Sequence, residues 1–266
     1  MNDSTDLLWS RMLREAETLS VAEPVLASYF HTAVLSHPSL ESALAYTLAE
    51  ILGNATVSKQ AVRRVIDEAL SADPVLGQKI RRDIEAYRER DPACRHAVTP
   101  LLYYKGFHAL QVYRVAHYLW GQERRTMAYH MQNLGAEIFG VDIHPAARLG
   151  CGIMIDHATG VVIGETAVVE DDVSMLHSVS LGGTGTDSGD RHPKIRSGVL
   201  IAAGAKVLGN IEVGEGAKIG AGSLVLSPVA PHTTVVGVPA RAVGVPREAS
   251  PAREMDQRIN SEGGVG

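Results

Sequence analysis

Two short polar clusters hold the residues whose types could carry acid–base chemistry. Asp156 and His157 are adjacent, and Arg191 and His192 follow in the stretch LGGTGTDSGDRHPK. Histidine can take a proton from a hydroxyl near neutral pH, and the arginine fork suits a carboxylate. The competing interpretations are a solvated surface histidine and a merely tolerated insertion.

The elements that position these clusters follow from a repeat. Apolar residues return every six positions, a spacing that neither a strand nor a helix produces. It predicts a coil of three short strands joined by tight turns, advancing one coil per about eighteen residues. The repeated residues are Ile143, Leu149, Ile155, Val161, Ala167, Val173 and Val179, then Ile195, Ile201, Val207, Val213, Ile219 and Val225.

The polar clusters lie where the repeat turns or breaks. Asp156 and His157 follow inward-facing Ile155, so the period places them at an outward corner. Val179 and Ile195 are separated by four residues more than two repeats, which predicts an extruded loop, and such loops often carry function. The residue four after each apolar residue is predicted to point inward, as at Ala147, Thr159, Ala205, Ala217 and Ser223.

Composition divides the chain near residue 141. All 13 aromatic residues lie within 1–140, whereas 20 of the 26 glycines lie within 141–266. We expect an α-helical assembly domain over 1–140, a β-helix domain over 141–246 and a flexible, disordered tail over 247–266. Flat sides lined with small residues favour packing of the coil against copies of itself as a trimer.

Helical spacing runs through residues 5–140. Ser39 is a candidate cap, and the pattern before Asp91 stops at Pro92, because a residue before proline resists helical geometry. The stretch from Pro100 to Phe139 is predicted to hold one or two helices. Asp91 itself can be interpreted simply as a turn residue.

Charge and cysteine content limit the class of protein. A net charge of −5 without a basic run argues against a nucleic-acid partner, and no apolar stretch is long enough for a membrane span. Two cysteines, Cys94 and Cys151, are too few for a disulfide framework. We expect a cytoplasmic protein.

Longer motifs resemble one enzyme family over nearly the whole chain. VDIHPAARLGCGIMIDHATG, GDRHPKI and VLGNIEVGEGAKIGAGS, with RDPA and TPLLYYKGFHALQVYR before them, are similar to serine O-acetyltransferase of cysteine biosynthesis. The resemblance implies a left-handed parallel β-helix behind a helical domain, usually a dimer of trimers. It also implies acetyl transfer from acetyl-coenzyme A to the hydroxyl of L-serine, without a cofactor or a metal.

The resemblance implies a role for each candidate residue. His157 is the expected general base and Asp142 its supporting carboxylate, while Asp91, Asp156, Arg191 and His192 form the expected serine-binding set. Backbone N–H groups near Gly182 and Gly183 are candidate oxyanion donors. The remaining expected coenzyme A contacts are small residues along the coil edge and two cations: Ala203, Gly204, Ala221, Gly222, Lys218 and Arg241.

The family also suggests partners. L-Cysteine is an expected feedback inhibitor, because it shares the amino-acid head of serine. Family members often dock a C-terminal isoleucine into O-acetylserine sulfhydrylase. This sequence ends in Gly266, which lacks an anchoring side chain, so we expect that complex to be weak or absent.

Three other functions stay open at this point, and one of them is a non-enzymatic scaffold that binds a partner. An acyltransferase of the same fold could act on homoserine or on another small amine or hydroxyl acceptor. A zinc hydratase could use His144, His157, His177 and His192, although Arg191 beside His192 disfavours a cation.

Overall fold

The computed structural model describes residues 6–185 and 188–259, and its first half is helical. Helix α8 ends at Phe139 and strand β1 begins at Val141. The helices are α1 Leu7–Ala22, α2 Ala27–Phe30, α3 Leu40–Leu52, α4 Lys59–Ala72, α5 Pro74–Arg90, α6 Thr99–Tyr103, α7 Lys105–Gly121, α8 Arg125–Phe139 and α9 Pro251–Glu254. A 3₁₀ turn at Pro24–Leu26 and a π turn at His31–Leu35 flank α2.

Local signals explain the helix ends. The Ser39 hydroxyl accepts the Ser42 N–H (3.3 Å), which confirms the predicted cap of α3. The stretch from Pro100 to Phe139 forms three helices rather than one or two, because the chain leaves helical geometry at Tyr104 and again before Arg125. Within the described residues, no helix is both long and apolar enough to span a membrane.

The second half is a β-solenoid, as the six-residue period predicts. Its strands are β1 Val141–Ile143, β2 Arg148–Leu149, β3 Met154–Ile155, β4 Val161–Ile163, β5 Val168–Val169, β6 Ser174–Met175, β7 Ser180–Gly182, β8 Lys194–Ile195, β9 Leu200–Ile201, β10 Lys206–Leu208, β11 Glu212–Val213, β12 Lys218–Ile219, β13 Leu224–Val225, β14 Thr234–Gly237 and β15 Ala240–Gly244.

The strands form three sheets that make the sides of the coil. Sheet A has the order β1-β4-β7-β10-β13, sheet B β2-β5-β8-β11, and sheet C β3-β6-β9-β12-β14-β15. All pairs are parallel except β14 with β15. Turns 156–160, 176–179, 202–205 and 220–223 join sheet C to sheet A and are called the His157 corner. Segments 144–147, 164–167, 183–193 and 209–211 join sheet A to sheet B and are called the Arg191 corner.

The interior follows the predicted register, with one exception. Ala147, Ala205, Ala217 and Ser223 are fully buried, whereas Thr159 is exposed and Ala158 is buried instead. The prediction for Thr159 was wrong because both His157 and Ala158 adopt left-handed backbone angles, which shift the turn by one residue.

The predicted flexible tail is wrong for the described part of 247–259. Pro251 and Ala252 in α9 are buried, the Ser174 hydroxyl donates to the Ala252 carbonyl (2.7 Å), and the Lys218 ammonium donates to the Arg258 carbonyl (2.8 Å). The tail is mostly polar, so its composition did not indicate that Pro251 and Ala252 pack against sheet C. Residues 260–266, including the terminal glycine on which the sulfhydrylase prediction rests, lie outside the described residues.

A buried ion pair joins the helices to the first coil. Asp83 in α5 and Arg114 in α7 lie 2.7 Å apart and are almost fully buried. The Asp83 carboxylate also accepts the Ile153 N–H (3.1 Å), and the Arg114 guanidinium donates to the Gly150 carbonyl (2.8 Å). The pair therefore fixes the orientation of the solenoid on the helices.

We expect Arg114→Ala to lower the free energy of unfolding by about 3–5 kcal/mol, because it leaves a buried carboxylate without its partner. Urea denaturation measures this change. Arg124→Ala is the matched control, since Arg124 forms an exposed pair with Glu68 and its loss is expected to cost less than about 1 kcal/mol. Equal losses in the two variants would contradict the structural role of the buried pair.

Candidate active site

A cleft opens where the helical region meets the His157 corner. Its volume is about 640 Å³. The ends of α5 and α6, the start of α7 and the turn after β3 form its walls. The lining residues are Tyr87, Asp91, Ala93, Tyr103, Tyr104, Lys105, Gly106, Ile155, Asp156, His157 and Thr159. Three of the predicted site residues, Asp91, Asp156 and His157, thus share one cleft.

His157 stands out into this cleft. Its side chain is 73% exposed, and its ring nitrogen lies 3.7 Å from the Asp156 carboxylate. The backbone has φ of +56° at His157 and +60° at Ala158, values that non-glycine residues rarely adopt. Such strain persists only where neighbouring structure imposes it, and it is frequent at functional sites.

Two carboxylates lie beside the histidine. Asp91 follows the last residue of α5 and accepts the Ala93 N–H (2.8 Å). Burial raises the pKa of the Asp156 carboxyl; the neighbouring His157 opposes this shift and the negative charge of Asp91 adds to it. A cation placed between Asp91 and Asp156 would relieve this repulsion.

The Arg191 corner holds a second cluster. The Thr166 hydroxyl oxygen accepts the N–H groups of Arg191 (3.0 Å) and His192 (3.1 Å), and the Arg191 guanidinium pairs with Glu165 (2.6 Å). Lys194 pairs with Asp190 (2.6 Å) at the end of the loop. Residues 190–192 are therefore anchored to the neighbouring coil and to Lys194. Asp187, another polar residue of the stretch LGGTGTDSGDRHPK, lies outside the described residues.

The side chain of His192 is buried and hydrogen-bonded at the Arg191 corner. It is 7% exposed, and its Nδ1 lies 2.8 Å from the Thr166 hydroxyl and accepts the Thr166 N–H (3.2 Å). Burial lowers the pKa of His192, and Arg191 lowers it further. A side chain at Gly164 would place its Cβ 2.0 Å from the His192 Nε2, so glycine leaves room for the ring.

The two clusters occupy different corners of the same protomer. Asp142 lies on the outer face of sheet A, where its carboxylate accepts a hydrogen bond from the Gln132 amide (2.7 Å) rather than from His157. Gly183 lies against Arg191. Sheet A therefore separates Asp91, Asp156 and His157 from Arg191 and His192.

The predicted coenzyme A contacts are only partly brought together. Ala203, Gly204, Ala221 and Gly222 stack above His157 on its corner. The Gly204 N–H donates to the His177 carbonyl (2.9 Å) and the Gly222 N–H to the Ala203 carbonyl (2.8 Å). Both glycines need left-handed angles, with φ of +73° and +67°.

The two predicted phosphate partners lie away from that corner. Lys218 is buried beneath the tail, where it bonds to Arg258 and lies 3.9 Å from Glu248, so a phosphate cannot reach it in this conformation. Arg241 lies on β15 beside a separate cavity of about 360 Å³ near the last coil.

Sequence reasoning missed the part that the helices contribute to the cleft. Tyr87, Tyr104 and Lys105 line it, and Lys105 donates to the Thr159 hydroxyl beside His157. Burial raises the pKa of Tyr104, and the nearby Cys94 and Asp91 add to the shift. The cluster of polar and aromatic residues in LLYYKGF, at the break between two helices, was the available signal.

The histidines considered for zinc do not form one cluster. His157 and His177 have ring centroids 5.9 Å apart at one corner, whereas His144 and His192 belong to the other corner. Among the residues that the structure describes, no group of three or more histidine, cysteine, aspartate or glutamate side chains could hold a metal ion.

Comparison with known proteins relates this architecture to one family. The family model for the N-terminal region of serine acetyltransferase matches residues 8–112, and the bacterial transferase hexapeptide model matches residues 192–227. The chain is 57% identical to a serine acetyltransferase of Escherichia coli over 97% of its own length and 94% of that protein. It is 53% identical to the Haemophilus influenzae enzyme, over 94% of each chain.

Solved structures give the same relationship. The crystal structure of serine acetyltransferase from Vibrio cholerae matches with a TM-score of 0.94 and 57% identity, over 96% of this chain and 98% of that one. A serine acetyltransferase in complex with cysteine matches with a TM-score of 0.93 and 52% identity, over 95% and 98% of the two chains. The Brucella abortus enzyme in complex with coenzyme A matches at 0.90 and 52%, over 91% and 97%. The chain therefore belongs to the serine acetyltransferase family of acyltransferase enzymes.

Proposed function

We propose that this chain transfers the acetyl group of acetyl-coenzyme A to the hydroxyl of L-serine in the cleft at His157. The observation that carries the proposal is the placement of an outward, strained histidine beside two carboxylates in one cleft. No cofactor beyond the co-substrate acetyl-coenzyme A is part of this chemistry.

The charges in the cleft suit the ammonium group of an amino acid. Asp91 and Asp156 repel each other, and a bound ammonium between them would offset this repulsion. The serine hydroxyl would then extend toward His157. The substrate carboxylate needs a guanidinium, and Arg191 is the proposed partner, with His192 helping to position the substrate.

The reaction then needs one proton to be transferred twice, first to His157 and then from His157 to the leaving group. His157 would take the proton of the serine hydroxyl as its oxygen attacks the thioester carbonyl. Backbone N–H groups near Gly182 and Gly183 are proposed to stabilise the oxyanion. As the carbon–sulfur bond breaks, the imidazolium would return the proton to the departing thiolate of coenzyme A. Asp142 is proposed to orient the imidazole.

A complete site requires two copies of the chain. Within one protomer, Arg191 and Gly183 lie at the opposite edge of sheet A from His157, and Asp142 lies on the outer face of the same sheet. The outer face of sheet A carries exposed Val162 and Leu226, which favours contact with another copy. We propose a homotrimer in which the His157 corner of one protomer meets the Arg191 corner of the next.

The edge above His157 is the proposed path for coenzyme A. Ala203, Gly204, Ala221 and Gly222 leave space along it, and the related Brucella abortus enzyme was solved with coenzyme A. Lys206, on sheet A, donates to the Ser178 and Gly204 carbonyls at this edge and is a nearer cation than Lys218.

Further parts of the proposal concern regulation and assembly. A related enzyme was solved with cysteine, which supports L-cysteine as an inhibitor that uses the contacts of serine. Trimers are proposed to pair through the helical region, residues 1–140, which also supplies Asp91 to the site. The cytoplasm is the proposed location.

We expect His157→Ala to lower kcat by about 10²–10⁴-fold, the usual effect of removing a general base. Acetylation of L-serine by acetyl-coenzyme A is the measurement. His232→Ala is the matched control, because His232 is also exposed with a positive φ of 48° but lies at the corner between sheets B and C. Near-normal turnover in His157→Ala would refute the assignment of the base.

A second test concerns the acceptor. We expect the enzyme to acetylate L-serine at least about 10-fold faster than L-homoserine at equal concentration, because one added methylene changes the placement of the hydroxyl relative to His157. Parallel assays with serine, homoserine and an amino sugar measure the preference. A faster reaction with either alternative would favour a different acceptor.

A third test addresses the shared site. His157→Ala and Arg191→Ala should each be inactive alone, but their co-expressed mixture should regain activity, because some interfaces then hold both intact side chains. Co-expression of Asp156→Ala with His157→Ala is the matched control, since these residues share one corner, and it should restore nothing. Equal behaviour of the two mixtures would place the whole site within one protomer.

A further inference from the structure

The first coil of the solenoid has an open edge below strand β3. Among the described residues this strand pairs with β6 alone, where the Met154 and Asp156 N–H groups donate to the Val173 and Met175 carbonyls. The backbone groups of Ile155 point the other way, and the part of the chain that the structure describes gives them no strand partner. Buried groups left in this state would be costly.

Tyr87 of α5 satisfies both of these groups. Its hydroxyl donates to the Ile155 carbonyl (2.9 Å) and accepts the Ile155 N–H (3.1 Å). The ring is 2% exposed, and it packs edge-on against Phe107. One rigid side chain from the helical region therefore holds the residue immediately before Asp156 and His157.

The backbone conformation of the turn that follows, residues 156–160, depends on hydrogen bonds at both of its ends. Two consecutive non-glycine residues, His157 and Ala158, adopt left-handed angles, which such residues hold only where the surrounding structure imposes them. Downstream, the Gly160 N–H donates to the Gly140 carbonyl (2.7 Å). Upstream, the two hydrogen bonds between the Tyr87 hydroxyl and the Ile155 backbone hold the start of the turn.

The packing around the Tyr87 hydroxyl leaves little room for adjustment. A Cβ at Gly106 in α7 would lie 2.0 Å from the Ile155 carbonyl oxygen and 2.9 Å from the Tyr87 hydroxyl. Helix α7 thus packs closely against both the Ile155 carbonyl and the Tyr87 hydroxyl. Loss of the hydroxyl would remove both hydrogen bonds to Ile155 and leave a void beside its backbone.

We propose that Tyr87 is a positioning residue that aims Asp156 and His157 into the cleft by fixing Ile155. This inference depends on the proposed role of His157 as the base. Tyr87 is not assigned a chemical step, and it acts only through the backbone of the strained turn. Displacement of a catalytic group by about 1 Å can lower turnover by about 100-fold.

The chain contains a matched control for this proposal. Tyr113 of α7 caps the neighbouring part of the same edge, where its hydroxyl donates to the Ala147 carbonyl (2.5 Å) and accepts the Leu149 N–H (3.2 Å). It is 4% exposed, like Tyr87. Strand β2, which contains Leu149, leads to the corner between sheets B and C instead of to His157.

The experiment compares Tyr87→Phe with Tyr113→Phe in the full chain. We expect Tyr87→Phe to lower kcat by about 10-fold to 100-fold and to raise KM for serine, while KM for acetyl-coenzyme A stays within about twofold. Tyr113→Phe should keep all three values within about twofold. Melting curves define a temperature at which both variants are fully folded, and kinetics are measured there.

The outcomes separate positioning from general stability. Equal losses of kcat in the two variants, or normal kcat in Tyr87→Phe, would overturn the inference. If Tyr87→Phe is normal while His157→Ala is inactive, the proposed function stands and only this inference fails. If His157→Ala is active, both fail.

Discussion

The arrangement of the molecule depends on how the open edge of a β-solenoid is closed. The first strands of sheets B and C, β2 and β3, have backbone groups with no neighbouring strand below them in residues 6–185 and 188–259, and buried side chains of α5 and α7 provide the missing partners. Tyr87 and Tyr113 each satisfy a carbonyl and an N–H, while Asp83 and Arg114 bond to further backbone groups as an ion pair. Because these bonds join the two halves, the helical region is also one wall of the cleft.

The same constraint links stability to chemistry. The edge that the helices close carries the strained turn of Asp156 and His157, whereas the anchored loop of Arg191 lies across sheet A. Regular coils of the solenoid supply a flat face and a continuous corner above the histidine. Two departures from regularity, the turn with the consecutive left-handed residues His157 and Ala158 and the longer connection before β8, carry the proposed site residues.

Much of the architecture could be predicted from local patterns. The period of six gave the solenoid, and caps such as Ser39 gave helix ends, because these signals depend on neighbouring residues. The candidate residues Asp156, His157 and Arg191 stood out for the same reason. The prediction for Thr159 failed, because this residue turns outward. The contact of the tail with Lys218 also had no signal in composition, because it joins residues distant in the chain.

The sequence by itself determined the strand period, the position of each polar departure and the residue types available for acid–base chemistry, since each is a property of spacing along the chain. Only the tertiary structure decided that Asp91 joins Asp156 and His157, and that Tyr87 braces their turn. It also decided that Arg191 faces another corner. Such contacts join residues more than 60 positions apart, and their distances depend on how helices dock on the first coil.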